Sequence, residues 1–218
     1  MNSIIKKIKN ILVKKKLENP ILKKKTNFLK SQKKIQNCIE KILIYLNLDS
    51  KNSNIIDTPK RISSMLIKEI FSGLYYENFP KISFIKNTIQ VEEMIKIFNI
   101  SFTSFCEHHF LITEGKAFIA YFPNRKILGI STVNKIVNFF AKRPQIQERM
   151  TKQIAICLQT LLQIEDVAVL IQAKHFCAQI RKMENQKNYV ITSNFCGKFE
   201  KSYSIKKEFY KFINVKFY

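Results

Sequence analysis

Apolar residues recur along this chain at two spacings, and the change from one to the other divides it. The N-terminal part has helical spacing. Ile4, Ile5, Ile8, Ile11 and Leu12 predict a basic amphipathic helix, and Ile35, Cys38, Ile39, Ile42 and Leu46 predict a second over residues 35–48, with Cys38 on its buried stripe. A third carries its own boundary signals: Thr58 as N-cap, Pro59 at the first helical position and Gly73 past the end, with Ile62, Met65, Leu66 and Ile70 facing inward. From Lys81 the helical period fades. Residues 91–97 fit neither template, 98–103 alternate as a half-buried strand does, and 116–122 form an aromatic-rich strand followed by a Pro123-Asn124-Arg125 turn and a short apolar run at 127–130.

Two further helices are expected. Ser131 caps the first, whose stripe is Val133, Ile136, Val137 and Phe140; Pro144 ends it and opens the second, which buries Ile146, Met150, Ile154, Cys157, Leu158 and Leu161. A strand over 167–179, a short strand at 189–192 and a terminal helix over 205–215 complete the pattern. Helices first, then strands interrupted by two helices, is an α+β order with helices on one face of an antiparallel sheet.

Composition narrows the class. With 218 residues, 46% hydrophobic and 25% charged, the chain can bury a large core. Five cysteines, an odd number without framework spacing, fit a reducing, cytoplasmic compartment and not a disulfide scaffold. No apolar run approaches the roughly 20 residues of a membrane-spanning helix, and none resembles a secretory signal.

The net charge of +22 would attract polyanions such as a nucleotide triphosphate, nucleic acid or an anionic membrane surface. The excess is mostly dispersed lysine accompanied by Ile, Asn and Phe. This is the signature expected of an A/T-rich genome more than of nucleic-acid binding. Residues 1–34 are expected to be a solvated, mobile or partner-packed arm, with membrane surface binding or targeting as the alternative.

Candidate chemistry concentrates in two apolar segments that hold all three histidines. SFTSFCEHHFLI carries Cys106, Glu107, His108 and His109; AVLIQAKHFCAQI carries His175 and Cys177. Cys106, His109 and Cys177 make a three-member thiolate and imidazole set suited to Zn2+, and no further CxxC or CxxH closes the shell. Three ligands leave a position for water, as catalytic zinc sites do. Read as one strand, 167–179 puts His175 on the face of Cys177. His175 and His108 are the candidates for proton transfer in hydrolytic chemistry. The plainer alternative is chance: CxxH is a weak motif and cysteines are commonly core residues, as Cys157 and Cys38 are here expected to be.

Longer motifs are more specific. DTPKRI at 57–62, IFSGL at 70–74, TSFCEHHF at 103–110, GKAFIAYFP at 115–123, RPQIQERMTKQIA at 143–155 and HFCAQIR at 175–181 follow in unbroken order over about residues 35–210. In these the chain resembles the GTP cyclohydrolase I family. That resemblance implies the tunnelling fold, with a lysine-rich arm at 1–34, an N-terminal helical region at 35–90 and a catalytic domain at 91–218. It implies zinc on Cys106, His109 and Cys177, proton transfer by His108 and His175, and the guanine edge held by Glu148 with Gln147. Ser131 would contact ribose or phosphate, and Arg61, Lys135 and Arg181 would bind the triphosphate. It further implies hydrolytic opening of the guanine ring of GTP to 7,8-dihydroneopterin triphosphate and formate, and a toroidal homodecamer with shared active sites.

The chain departs from the family's usual pattern at Thr132, where a second phosphate cation is common, at Lys135 in place of arginine, at Lys182, and in NFCG at 194–197. A point charge replacing a bidentate fork weakens phosphate binding without touching a zinc ligand. Rival readings are another tunnelling-fold enzyme acting on a purine-like substrate, such as a nitrile reductase, and a non-catalytic, nucleic-acid-binding module built on the arm. Deleting residues 1–30 is expected to abolish binding by such a module while sparing GTP turnover.

Overall fold

A computed structural model of the chain describes residues 3–22, 28–180, 189–211 and 213. Its helices are α1 (Ser3–Lys14), α2 (Phe28–Tyr45), α3 (Thr58–Met65), α4 (Ile130–Ala141), α5 (Gln147–Leu162), α6 (Phe176–Gln179), α7 (Lys198–Lys201) and α8 (Tyr203–Lys211). The strands are β1 (Phe84–Lys86), β2 (Ile95–Cys106), β3 (Ile112–Tyr121), β4 (Lys126–Leu128), β5 (Pro144–Gln145), β6 (Val167–His175) and β7 (Val190–Phe195).

A five-stranded sheet in the order β5-β2-β3-β6-β7 forms the centre, antiparallel throughout except where β5 pairs parallel with β2. β1 and β4 form a separate two-stranded ladder. Alternation sorts the side chains. Ala117, Ile119 and Tyr121 of β3 and Val167, Val169, Ile171 and Ala173 of β6 meet the buried stripes of α4 and α5. Phe118, Ala120, Ala168 and Leu170 face the other way, where Phe199 and Phe209 of α7 and α8 cover them. This α+β arrangement, two long helices on one sheet face after an N-terminal helical region, is the tunnelling fold; the terminal helix expected over 205–215 is α8, and with α7 it covers the opposite face, a placement that the periodicity does not give.

One irregularity decides where β2 aims its last residues. Ile95 and Ile97 pack toward the helices, the pairing with β3 shifts between Ile97 and Ile100, and Asn99 adopts φ 59°. The extra residue reverses the phase, so Ile100, Phe102, Ser104 and Cys106 occupy the helix side. Residues 91–97 matched no simple period because 91–94 are loop and β2 begins only at Ile95.

Residues 3–22 pack against the body of the protein and do not form a separate arm. Ile8 and Leu12 are fully buried beside α5, worth roughly 3–6 kcal/mol together before entropy is subtracted. Beyond α1, Gln153 of α5 donates to the Leu17 carbonyl at 2.6 Å, and the buried Arg143 donates to Glu18 at 2.7 Å. The Arg143 guanidinium lies over Tyr76, Phe139 and Phe140, while its Nε and Nη2 find no hydrogen-bond partner among the described residues. The apolar side of α1 is therefore already occupied, which removes the membrane reading. Deletion of residues 1–30 would strip contacts from α5, so it would test the packing of the fold as well as the basic segment.

Several local expectations also change. Asp57 occupies the N-cap of α3 and makes no side-chain cap bond; its helix runs into a π turn at Leu66–Ile70, and Ser63 and Ile67 are buried where Met65 was expected. Gly73 lies in a 3-10 turn pressed against α4. A Cβ there would stand 2.0 Å from the Phe139 carbonyl oxygen, so close approach and not helix termination demands glycine. Gly129, not Ser131, caps α4, and Pro144 belongs to β5, leaving Ile146 as the N-cap of α5. Cys38 is exposed on α2 instead of buried. The buried stripes of α4 and α5, including Cys157, stand as expected except for Ile146, which is half-buried at the N-cap.

Candidate metal centre and active site

Strand register brings the two histidine segments together. Phe105 pairs with Ile112 and Thr113 with His175, so β2 ends and β6 ends at the same margin of the sheet. Between β2 and β3 the Cys106 N–H donates to the Leu111 carbonyl and the Phe110 N–H to the Cys106 carbonyl, both at 2.8 Å; Phe110 takes φ 53° to close the turn. The turn folds His109 back on Cys106, with Nδ1 3.7 Å from Sγ, and places His108 Nδ1 3.8 Å from the same sulfur. β6 stops at His175, and the chain enters α6 there. Cys177 thus arrives from a helical turn and not from the strand face read from the sequence.

The ligand atoms of Cys106, His109 and Cys177 all lie within 4.8 Å of one another. A tetrahedral zinc ion with ordinary bond lengths sets sulfur and nitrogen ligands roughly 3.6 Å apart, close to the Cys106–His109 separation. Cys106 is buried, Cys177 half-buried and His109 exposed, so the cluster is anchored on one side and open on the other. Burial and the adjacent Cys106 push the Cys177 thiol above its ordinary value. A divalent cation reverses that preference by stabilising thiolate.

His175 is oriented by Gln147 at the start of α5. The Gln147 amide nitrogen donates to the carbonyls of Ile171 at 3.1 Å and Val190 at 2.9 Å and approaches Thr192 Oγ1 at 3.2 Å. Its oxygen must then be the acceptor for His175 Nε2 at 2.8 Å, which leaves Nδ1 unprotonated toward Thr113 Oγ1 at 3.4 Å. Burial holds the imidazole below the usual histidine range, and the Glu148 carboxylate offsets part of that shift. A small cavity lies here, lined by Phe102, Ser104, Thr113, Gln145, Gln147 and His175 among others.

The remaining expected residues are spread more widely. Glu148 is exposed in the first turn of α5, where the helix dipole favours a carboxylate. Ser131 and Lys135 are exposed one turn apart on α4. Arg61 forms an ion pair with Asp57 at 3.5 Å on the surface of α3. Arg181 and Lys182 lie outside the described residues. Thr113, Thr192, Gln145, Glu107 and Arg149 were missed as site neighbours. Glu107 is adjacent to a ligand, and Gln145 and Arg149 lie at or next to the first turn of α5, whereas Thr113 and Thr192 carry no local signal, because strand register makes their contacts.

Fold and cluster together define a class: an α+β tunnelling-fold protein with a Cys/His/Cys metal-binding group at the open margin of its sheet. Comparison with known proteins then places it further. The family GTP cyclohydrolase I matches residues 35–214. A protein named GTP cyclohydrolase 1 from Wigglesworthia glossinidia brevipalpis is 47% identical over 204 residues, covering 94% of each chain. Those from Blochmanniella pennsylvanica (strain BPEN) and Buchnera aphidicola subsp. Schizaphis graminum (strain Sg) are 45% identical over 193 residues and 47% over 204; coverage of this chain is 88% and 93%, and of the relatives 87% and 94%. The chain belongs to the GTP cyclohydrolase I family and is an enzyme of the hydrolase class.

Proposed function

We propose that this enzyme opens the guanine ring of GTP with water, releasing formate and yielding 7,8-dihydroneopterin triphosphate. The observation that carries the reading is the convergence of Cys106, His109 and Cys177 within 4.8 Å beside the His175–Gln147 pair. Zn2+ is the ion best matched to two thiolates and one imidazole, and when bound it would supply Lewis-acid activation of water at its fourth position.

The protein's own groups do the rest. Glu148 accepts the N–H groups of the guanine edge, a match that adenine would leave unpaired. Gln147 stands beside it, its carboxamide committed to the sheet and to His175, so it acts through the orientation of that ring. Neutral His175 can take a proton at Nδ1, and the exposed His108, with Nε2 3.9 Å from Glu107, can deliver one to the ribose ring oxygen. Ser131, Lys135, Arg61 and Arg181 are assigned to ribose and triphosphate.

Assembly into a homo-oligomer, toroidal and decameric by family likeness, is supported by apolar surface that one chain leaves uncovered: Ile42 is 49%, Leu46 64% and Tyr45 81% exposed. Among the described residues no helix is long and apolar enough to cross a membrane.

The test is zinc analysis of the purified protein paired with a GTP assay read as fluorescent pterin after oxidation. Stoichiometric zinc, turnover lost on chelation and turnover restored by zinc are expected. Zinc-loaded protein that releases no formate from GTP would overturn the proposal.

A further inference from the structure

We propose that Arg149 and Glu107 form a positioning pair that fixes the metal-binding turn relative to the start of α5, a role that rests on the metal-site reading above. Glu107 sits between Cys106 and His108. Its backbone N–H donates to the Gln145 carbonyl at 3.1 Å, and its carboxylate receives Arg149 Nη2. Arg149 is in the first turn of α5, next to Glu148, with a side chain only 14% exposed. Its Nε donates to Gln145 Oε1 at 3.2 Å and its Nη2 also to the Pro144 carbonyl at 3.1 Å. One planar fork thereby joins the metal turn, β5 and α5, a junction that a lysine point charge cannot reproduce.

The bonding does not stop at the fork. Buried Gln145 donates through Nε2 to the Phe140 carbonyl at 2.7 Å and to Gln153 Oε1 at 2.8 Å, and fully buried Gln153 donates to the Leu17 carbonyl at 2.6 Å. The line therefore runs from Glu107 through α5 to the segment after α1. Each amide in it is already satisfied, so the fork has one low-energy setting, and with it the separation of Cys106 from Glu148 is fixed. Those two residues are assigned to water activation and base binding. Small misplacements between such groups are costly: a shift of about 1 Å can lower rates on the order of 100-fold.

The experiment compares wild type with Arg149→Lys, Glu107→Gln and the double variant. It reads zinc affinity by chelator competition, melting of the zinc-free protein, and kcat and KM for GTP. Arg149→Lys is expected to weaken zinc binding about tenfold, the range for groups that orient metal ligands. It should lower kcat by about as much or more, with KM within about threefold of wild type. Glu107→Gln, nearly isosteric and thus safe for folding, should weaken zinc binding in the same direction, and the double variant should lose little more than the worse single one. Wild-type zinc affinity in both single variants, even with lowered melting, would show a purely structural ion pair and overturn the proposal. Losses that multiply in the double variant would overturn it as well. Failure of wild type to take up zinc would instead overturn the metal-site reading, and this inference with it.

Discussion

The two ends of the central sheet are made by the same strands and have opposite characters. At the end where Tyr121 pairs with Val167, both faces are sealed. Ile119 and Val169 pack under α4 and α5, while Phe118 and Leu170 lie under Phe199 and Phe209. At the end where Thr113 pairs with His175, the helix-side face carries Ser104, Thr113 and His175, and the far face exposes Ser101, Thr103, Glu114 and Lys116. The pleat is unchanged from one end to the other. What differs is cover, because α7 and α8 reach only the first. Stability is concentrated at the sealed end, and chemistry is placed where the sealing stops.

Substitutions should separate the two ends. Cys177→Ala is expected to have the largest effect: loss of zinc and a fall in turnover of about 10^3-fold or more, the scale of nucleophile generation and acid-base catalysis together, with circular dichroism and melting of the metal-free protein nearly unchanged. At the sealed end Phe209→Ala should do the reverse. Phe209 is fully buried, with rings of Phe98, Phe195 and Phe199 5.8, 5.6 and 6.1 Å away, and its removal should cost roughly 3–5 kcal/mol in denaturant unfolding. Turnover per folded molecule should stay near wild type. If Phe209→Ala instead abolished zinc uptake in folded protein, the two ends would not be separable. The smallest effect is expected on α4: Lys135→Arg should lower KM for GTP about two- to threefold by restoring a fork for phosphate. An unchanged KM would remove Lys135 from the triphosphate site.

Elements whose signals are local could be read from the sequence. The stripes of α4 and α5 were legible because Val133, Ile136, Val137 and Phe140, like Met150, Ile154 and Leu158, recur at 3.6 residues and bury within this chain. The same period in α2 predicted a buried stripe, yet Ile42 and Leu46 are exposed here, since periodicity identifies an apolar face and not what covers it. Nonlocal pairing was the least visible. β5 is two residues long, and its pairing of Pro144 with Phe105 and Gln145 with Cys106 helps bring α5 beside the metal turn. The bulge at Ile97/Ile100 left no signal beyond a broken alternation. Cys106, His109 and Cys177 were found by residue chemistry, while Glu107 and Arg149 were passed over because an acid and a base 42 positions apart announce nothing until the strands register.

The interior cation at position 143 has one more consequence, for how this lysine-laden chain should be redesigned. Five of its 38 basic residues are arginines, and among the described residues no lysine is buried. Arg143 spreads its charge over three aromatic faces while holding Glu18, a task that suits a flat delocalised group and not a compact ammonium. Exposed lysines other than Lys135 and those paired with Glu208 or Asp166 can therefore be exchanged to adjust solubility, whereas a blanket swap of arginine for lysine would strike the interior first.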